Sequence, residues 1–249
     1  MLGRNSLRPS YGVIFQGGRN ELRPYEGKIM NHIRVVCTIL FLATASSVLA
    51  ESNMVSLPKP KTDSMFSVEK ALHQRRSLRN PQEAPLTLAQ IGQLCWAAQG
   101  VTGEKGHRTA PSAMAAYPLE LYVIAGSVKG FAPGLYHYEP ATHSLHLLSA
   151  GDKRNEFMVK ASGQAWIAKA PAIFVISGAV KKMAKMKDRK EQFMATEAGL
   201  AAQGFFLQAE SLGLGSTFVG GFNPANARKT LGLKYDEEVL AVLPVGKKP

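Results

Sequence analysis

The sequence predicts a single α+β domain, and three observations predict it. The chain has 249 residues, 45% of them hydrophobic, enough for one sizeable core. From Phe66 onward, apolar positions at helical spacing interleave with short β-type runs. Two of those runs read as a hairpin, while others are separated by whole helices, so hairpin and crossover connections occur together. No fixed-period repeat is present.

The elements follow in order. Phe66, Val68, Ala71 and Leu72 share one face of a helix over 66–76. Thr87 is placed to cap a second helix, which runs through Ile91, Leu94, Cys95 and Ala98 and stops at Gly100. Residues 119–125 (Leu-Glu-Leu-Tyr-Val-Ile-Ala) form a strand. Residues 134–138, a turn at Glu139-Pro140 and residues 144–148 form the hairpin. A helix over 155–166 precedes a buried-type strand over 172–177. A long helix over 192–212 ends at Gly213, and its small residues, among them Ala198, Ala201 and Gly204, permit another helix to approach closely. A strand over 216–219, a helix over 224–231 and a strand over 239–245 complete the order.

The front of the chain has a different character. Residues 31–50 carry a short basic stretch, an apolar run from Ile33 to Ala45 and small residues ending Val48-Leu49-Ala50. That is the anatomy of a secretory signal peptide cut near Ala50. The apolar run is too short to span a bilayer comfortably, and no Arg-Arg pair marks a twin-arginine signal. The expected organisation is an N-terminal extension at 1–29 with translation beginning at Met30, a signal peptide at 30–50, an extended Pro/Lys-rich linker at 51–64, and the folded domain at 65–249. The mature protein is expected in the periplasm or outside the cell, with no membrane attachment; an uncleaved anchor is the alternative.

The net charge is +12. Six basic and two acidic residues lie in 1–50, which leaves +8 on the remainder. A basic domain attracts anions, but no zinc-finger spacing, RNP-like aromatic motif or recognition-helix pattern points to nucleic acid. Of two cysteines, Cys37 lies in the leader, so the mature chain has no internal disulfide, and no metal-ligand cluster is present. Cys95 reads as a buried small hydrophobe.

Three constellations could carry chemistry. Arg75, Arg76, Ser77 and Arg79 put three guanidinium forks and a hydroxyl within five residues, suited to phosphate oxygens or to a solvated face. Residues 107–118 (His-Arg-Thr-Ala-Pro-Ser-Ala-Met-Ala-Ala-Tyr-Pro) lead into a strand with small side chains that let backbone approach a flat ligand. Residues 213–222 (Gly-Leu-Gly-Ser-Thr-Phe-Val-Gly-Gly-Phe) follow a helix instead of opening one, so they are not a dinucleotide-binding fingerprint. Gly220-Gly221 still allows close backbone approach. A basic run, residues 181–190, is either a solvated helix start or a mobile lid that attracts an anionic substrate.

The series Arg-Arg-Ser-x-Arg, Thr-Ala-Pro-Ser-Ala leading into Tyr-Pro-Leu-Glu-Leu-Tyr, then Glu-Ala-Gly-Leu-Ala-Ala-Gln, Leu-Gly-Leu-Gly-Ser and a terminal Leu-Pro-Val-Gly resembles the nitroreductase family over Phe66 to Pro249. It is most similar to the branch that holds the thiazole- and oxazole-forming peptide dehydrogenases. The resemblance implies a nitroreductase-like α+β fold, a mixed, mostly antiparallel sheet flanked by helices, and a homodimer with FMN in two interface pockets. It implies that Arg75, Arg76, Ser77 and Arg79 hold the FMN phosphate and ribityl chain. Pro111, Ser112 and Ala113 would contact the flavin of the other subunit. Gly220 and Gly221 would offer N–H groups near flavin N5 and O4, Gln164 would touch the ribityl chain, and Lys247 or Lys248 the phosphate. NADH or NADPH would be the electron donor, and a nitroaromatic or quinone a fitting acceptor. The chemistry would sit on flavin N5, with no catalytic side chain and no metal. The chain departs from the pattern at Met114-Ala115-Ala116-Tyr117: the peptide-modifying relatives carry Gly-Ala-Leu-Tyr, and typical nitroreductases carry Asn at Ala115 and Gln at Tyr117. Two other readings stand beside the reductase: a flavin-dependent dehydrogenase oxidising a peptide-derived or other small substrate, and a non-catalytic periplasmic binding protein on the same fold.

Overall fold

A computed structural model describes residues 53–249. The expected extension, signal peptide and Cys37 lie outside the described residues. The architecture is a seven-stranded sheet with helices on both faces. In chain order the strands are β1 (Met54–Ser56), β2 (Leu86–Thr87), β3 (Leu119–Ala125), β4 (Val128–Lys129), β5 (Gly134–Glu139), β6 (Ser144–Ala150), β7 (Ala172–Ala179), β8 (Leu214–Ser216) and β9 (Glu237–Lys247). The helices are α1 (Val68–Gln74), α2 (Leu88–Gln99), α3 (Arg154–Phe157), α4 (Lys190–Ser211) and α5 (Pro224–Thr230). The sheet order is β1-β6-β5-β3-β7-β9-β8, and every neighbouring pair is antiparallel. Parallel pairing is confined to the short β2–β4 ribbon and a single bridge between Ser77 and Ser216.

The central strands are buried on both faces, so they read as continuous apolar runs. Leu121, Val123, Phe174, Ile176 and Leu243 point to the face covered by α2 and α4. Tyr122, Ile124, Ile173, Val175 and Val242 point to the face covered by residues 154–169 and α5. On the first face Phe174 meets Phe205 of α4 edge-on at 4.8 Å, and burying each ring stabilises the fold by roughly 2–3 kcal/mol. The close helix approach expected from small residues is real. A Cβ on Gly204 of α4 would lie 2.9 Å from the Ala97 carbonyl of α2. Cys95 is buried in this core, and burial pushes its thiol up.

Helix ends follow the local chemistry. Thr87 and Gln90 form a complete capping box on α2, and Asn223 caps α5 ahead of Pro224. Gly213, at φ +70°, turns the chain out of α4. Four expectations change in detail. The helix over 155–166 is broken: α3 is one turn, a wider π-type turn follows, and Gly163 at φ +64° reverses the chain before a 3₁₀ segment at Ala165–Lys169. The strand expected at 216–219 is Leu214–Ser216, and only Val219 bridges Val242 beyond it. Residues 180–189 form 3₁₀-type turns kinked at Lys187, not a helix start. The segment at 54–61 is extended as expected but docked. β1 pairs with β6, Pro58 accepts from His143 Nε2 at 3.1 Å, and Lys61 exchanges two hydrogen bonds with Gln93.

Candidate active site

The first constellation sits where α1 ends. Ser67 caps α1 and Arg75 closes it, its N–H donating to Ala71. The chain then runs extended beside β8. Leu78 N–H donates to Ser216 (3.1 Å), Thr217 Oγ1 donates to the Leu78 carbonyl (2.8 Å), and Gln82 N–H donates to Lys247 (3.0 Å). Gly215 has room only for a hydrogen against Leu78, since a Cβ there would lie 2.9 Å from its Cδ2. These contacts lay Arg75–Arg79 along the outer edge of the sheet, next to the end of β9 that carries Lys247. Arg75 is half-buried; Arg76, Ser77, Arg79 and Lys247 are exposed. Among the described residues no carboxylate pairs with Arg75 or Arg79. Arg76 is partly engaged, one nitrogen donating to the His73 and Arg75 carbonyls. Lys248 is spent on an ion pair with the buried Glu210, which leaves Lys247 as the lysine open to a ligand.

Gly220 and Gly221 follow β8 on the same edge, after Val219 bridges Val242. Gln164 Nε2 donates to the Gly221 carbonyl (2.9 Å), while its Oε1 accepts from Trp166 (3.2 Å). Neither glycine has a positive φ. A Cβ on either would meet its nearest neighbour at an ordinary 3.7 Å. Nothing among the described residues therefore requires glycine at these two positions. Both are exposed, and neither N–H donates a hydrogen bond among the described residues. The pair is a stretch of bare backbone with two unspent donors, which fits close approach by a flat, acceptor-rich group.

The constellation at 107–118 lies elsewhere. Ser112 Oγ accepts from Tyr117 N–H (2.8 Å), and Ala113 N–H donates to Glu197 Oε1 of α4 (2.8 Å). Met114, Ala115 and Tyr117 all have φ between 44° and 52°, a strained region for residues with a Cβ. Arg108 braces the loop from below, bonding Gln99 (2.9 Å) and lying 5.1 Å over the Tyr117 ring. This loop enters β3 at Leu119, paired with Gly178 near the far end of β7, whereas Ala172 at the other end pairs with Val245 beside β8. Six strand steps, roughly 20 Å, separate Gly178 from Ala172. One protomer thus brings Arg75, Arg76, Ser77, Arg79, Gln164, Gly220, Gly221 and Lys247 to one edge and keeps Pro111, Ser112 and Ala113 at a distance.

Near the loop, Lys182 bonds Glu120 (2.6 Å) and His137 bonds the same carboxylate (3.0 Å). Burial works to raise the Glu120 carboxyl, but the hydrogen bonds from His137 and Lys182 overcome it and hold it at about 2. Burial and the hydrogen bond to Glu237 push the Tyr122 phenol up. The basic run borders a surface cavity of about 690 Å³ lined by Lys181, Lys187, Lys190, Arg228 and Tyr235, with Asp236 paired to Lys181 at 3.4 Å.

A family model described as the nitroreductase family matches residues 72–247. The chain belongs to the nitroreductase family. A provisionally named nitroreductase of Methanocaldococcus jannaschii is 38% identical over 184 residues, 74% of this chain and 92% of its own. The crystal structure of a provisionally named nitroreductase from Ralstonia eutropha superposes with a TM-score of 0.71 at 31% identity, covering 79% of this chain and 90% of its own. A chain of the E. coli microcin synthetase complex shares the fold at a TM-score of 0.60 and 20% identity, over 84% of this chain and 93% of its own. The family relation makes this nitroreductase-family chain a flavin-type oxidoreductase in general terms.

Glu197 is the residue that sequence reasoning passed over. It stands in the Glu-Ala-Gly-Leu-Ala-Ala-Gln motif, and the available signal was a carboxylate among small apolar residues mid-helix.

Proposed function

We propose that this chain is an FMN-dependent reductase that works as a homodimer and passes electrons from NADH or NADPH to a small electrophilic acceptor such as a nitroaromatic or quinone. The observation that carries the reading is the pair Gly220-Gly221. Its glycines answer to no internal need, its two N–H groups are unspent, and it shares one sheet edge with unpaired arginines. When bound there, FMN would supply a centre that accepts and returns hydride.

The protein's own residues would bind and orient it. Arg75 and Arg79 offer forked donors to the phosphate, and Lys247 adds a point charge on the same side. Ser77 adds a hydroxyl, Arg76 its remaining donors. Gln164, already fixed by Gly221 and Trp166, would serve the ribityl chain. The Gly220 and Gly221 N–H groups stabilise negative charge on the ring edge without reorganising. Within one protomer Pro111, Ser112 and Ala113 lie on the loop before β3, three strands from β8 in the sheet order. A two-fold partner lying antiparallel along α4 would deliver them to it. The basic run at 181–190, tied to the same loop through Lys182, would draw in an anionic substrate or the donor's phosphates.

The reading includes export. Cleavage at Ala50 leaves three residues ahead of β1, so the docked strand stays whole. N-terminal sequencing of the mature chain from the periplasm is expected to start at Glu51.

The deciding experiment adds FMN to the purified chain, desalts it and records the visible spectrum before and after NADH or NADPH. A flavin band that stays with the protein and bleaches on adding the nucleotide is the expected result. A folded, colourless protein that remains colourless sinks the proposal.

A further inference from the structure

We propose that Glu197 is a positioning residue that holds the loop at 111–117 in the shape in which its tip meets the partner's cofactor. The inference rests on the assignment of Pro111–Ala113 to that contact.

Glu197 lies mid-way along α4 and is 4% exposed. Among the described residues no lysine, arginine or histidine pairs with it. A buried carboxylate without a cation opposes folding, so α4 is an unfavourable place for it unless it meets a specific need. The need visible in the structure is the Ala113 N–H, donated to Glu197 Oε1 at 2.8 Å across 84 residues of sequence. Ala113 begins the tight turn whose next residues, Met114 and Ala115, both carry left-handed φ near 52°, with Tyr117 at 44°. Three residues with side chains in that region within four positions do not hold their shape unaided. Ser112 Oγ ties the far end of the turn through Tyr117 N–H, and Glu197 ties the near end to the core. Met114 is 72% exposed, so the strain is not repaid by burial of its side chain. The loop is strained and displayed; Arg108 braces it under the Tyr117 ring and Lys182 reaches the Tyr117 carbonyl, while its turn is tied at one end by Ser112 and at the other by Glu197 of α4. Glu197 acts through Ala113.

The test compares the full chain with Glu197→Gln and Glu197→Ala. Glutamine keeps an acceptor oxygen at the same reach; alanine leaves the Ala113 N–H without one. Amide hydrogen exchange over 111–117, FMN affinity and melting temperature are measured on all three. The alanine variant is expected to exchange at Ala113 about tenfold faster and to bind FMN about tenfold more weakly, while glutamine restores both to within about threefold of the wild type. A folded alanine variant whose loop exchange and FMN affinity match the wild type overturns the proposal, even if it melts earlier, because Glu197 then serves packing alone. Should the wild type itself take up no FMN, the flavin assignment fails, and loop exchange in the alanine variant still decides the role of Glu197.

Discussion

The sheet edge at β8 and the loop at 111–117 are both assigned to the same cofactor, yet they are built on opposite principles. The edge is relaxed. Its glycines have ordinary φ, Arg76 and Arg79 are exposed and Arg75 half-buried, and its backbone is laid down by extended pairing with Ser216 and Lys247. The loop is strained at Met114, Ala115 and Tyr117, and is held by Glu197 and Ser112. The difference teaches that binding groups on the edge can be removed at little cost to the fold, whereas changes in the loop act on fold and function together.

The largest expected effect is on the edge. Arg75→Ala with Arg79→Ala removes two charge-assisted phosphate donors, each worth about 1.5–3 kcal/mol. FMN affinity is expected to fall at least ~100-fold in a fluorescence titration, with the melting temperature within about 2 °C of the wild type. Arg76→Ala is expected to cost less, since one of its nitrogens already serves the His73 and Arg75 carbonyls. An equal loss from all three would show that the edge does not discriminate among them.

Gly221→Ala sharpens the same point. The added methyl has 3.7 Å to Gln164 Nε2, so the apoprotein is expected to melt like the wild type. The methyl would instead occupy the space a flat ligand needs, and FMN affinity is expected to drop about tenfold. A variant that loses stability but not FMN would place the reason for this glycine inside the fold and remove the main support for the site.

The loop behaves in the reverse sense. Ala115→Gly relieves one left-handed residue, an effect of about 1 kcal/mol, offset in part by a more flexible unfolded chain. The expected outcome is a melting temperature raised by roughly 2–3 °C in calorimetry, with FMN affinity unchanged or slightly reduced. A lower melting temperature would mean that the strain is not carried at Ala115. The asparagine that typical nitroreductases carry here is a residue that tolerates left-handed φ, which agrees with the backbone found at this position.

How much of this was legible in the sequence depends on the range of the interaction. Leu119–Ala125 and Ala172–Ala179 declared themselves because a strand buried on both faces is an unbroken apolar run. Thr87 announced a helix start because capping is decided within four residues. The helix expected over 155–166 failed because Gly163 at φ +64° ends it, and periodicity does not report one residue's φ. The docking of 54–61 failed because its partners, Gln93 and His143, lie 32 and 85 residues from the positions they hold. The site followed the same rule. Residue types pointed to phosphate and to a flat ligand, but their placement on one edge comes from the Ser77–Ser216 and Gln82–Lys247 bridges, and Glu197 finds Ala113 only in three dimensions.

The smallest effect concerns the docked segment, on the sheet edge opposite β8. His143 donates through Nε2 to the Pro58 carbonyl, so in the neutral ring Nδ1 accepts from the Tyr138 hydroxyl at 2.9 Å. Burial lowers the folded-state pKa below the ordinary 6.5, with the Pro58 bond opposing it. The unfolded chain therefore binds the proton more readily. Stability from this group is fully present above pH 6.5 and is lost as pH falls through the lower folded value. The amide of Leu57, which donates to the His143 carbonyl, reports on the docking directly. Its exchange, corrected for the intrinsic pH dependence, is expected to quicken as pH falls below 6.5. His143→Asn, whose side chain tolerates the φ of 49° at this position, is expected to exchange faster throughout but without that step. A step that survives the substitution would transfer the titration to another group. A step that also appears at Ala113 would mean that the docked segment and the loop open together, and the contrast between a relaxed edge and a locked loop would have to be given up.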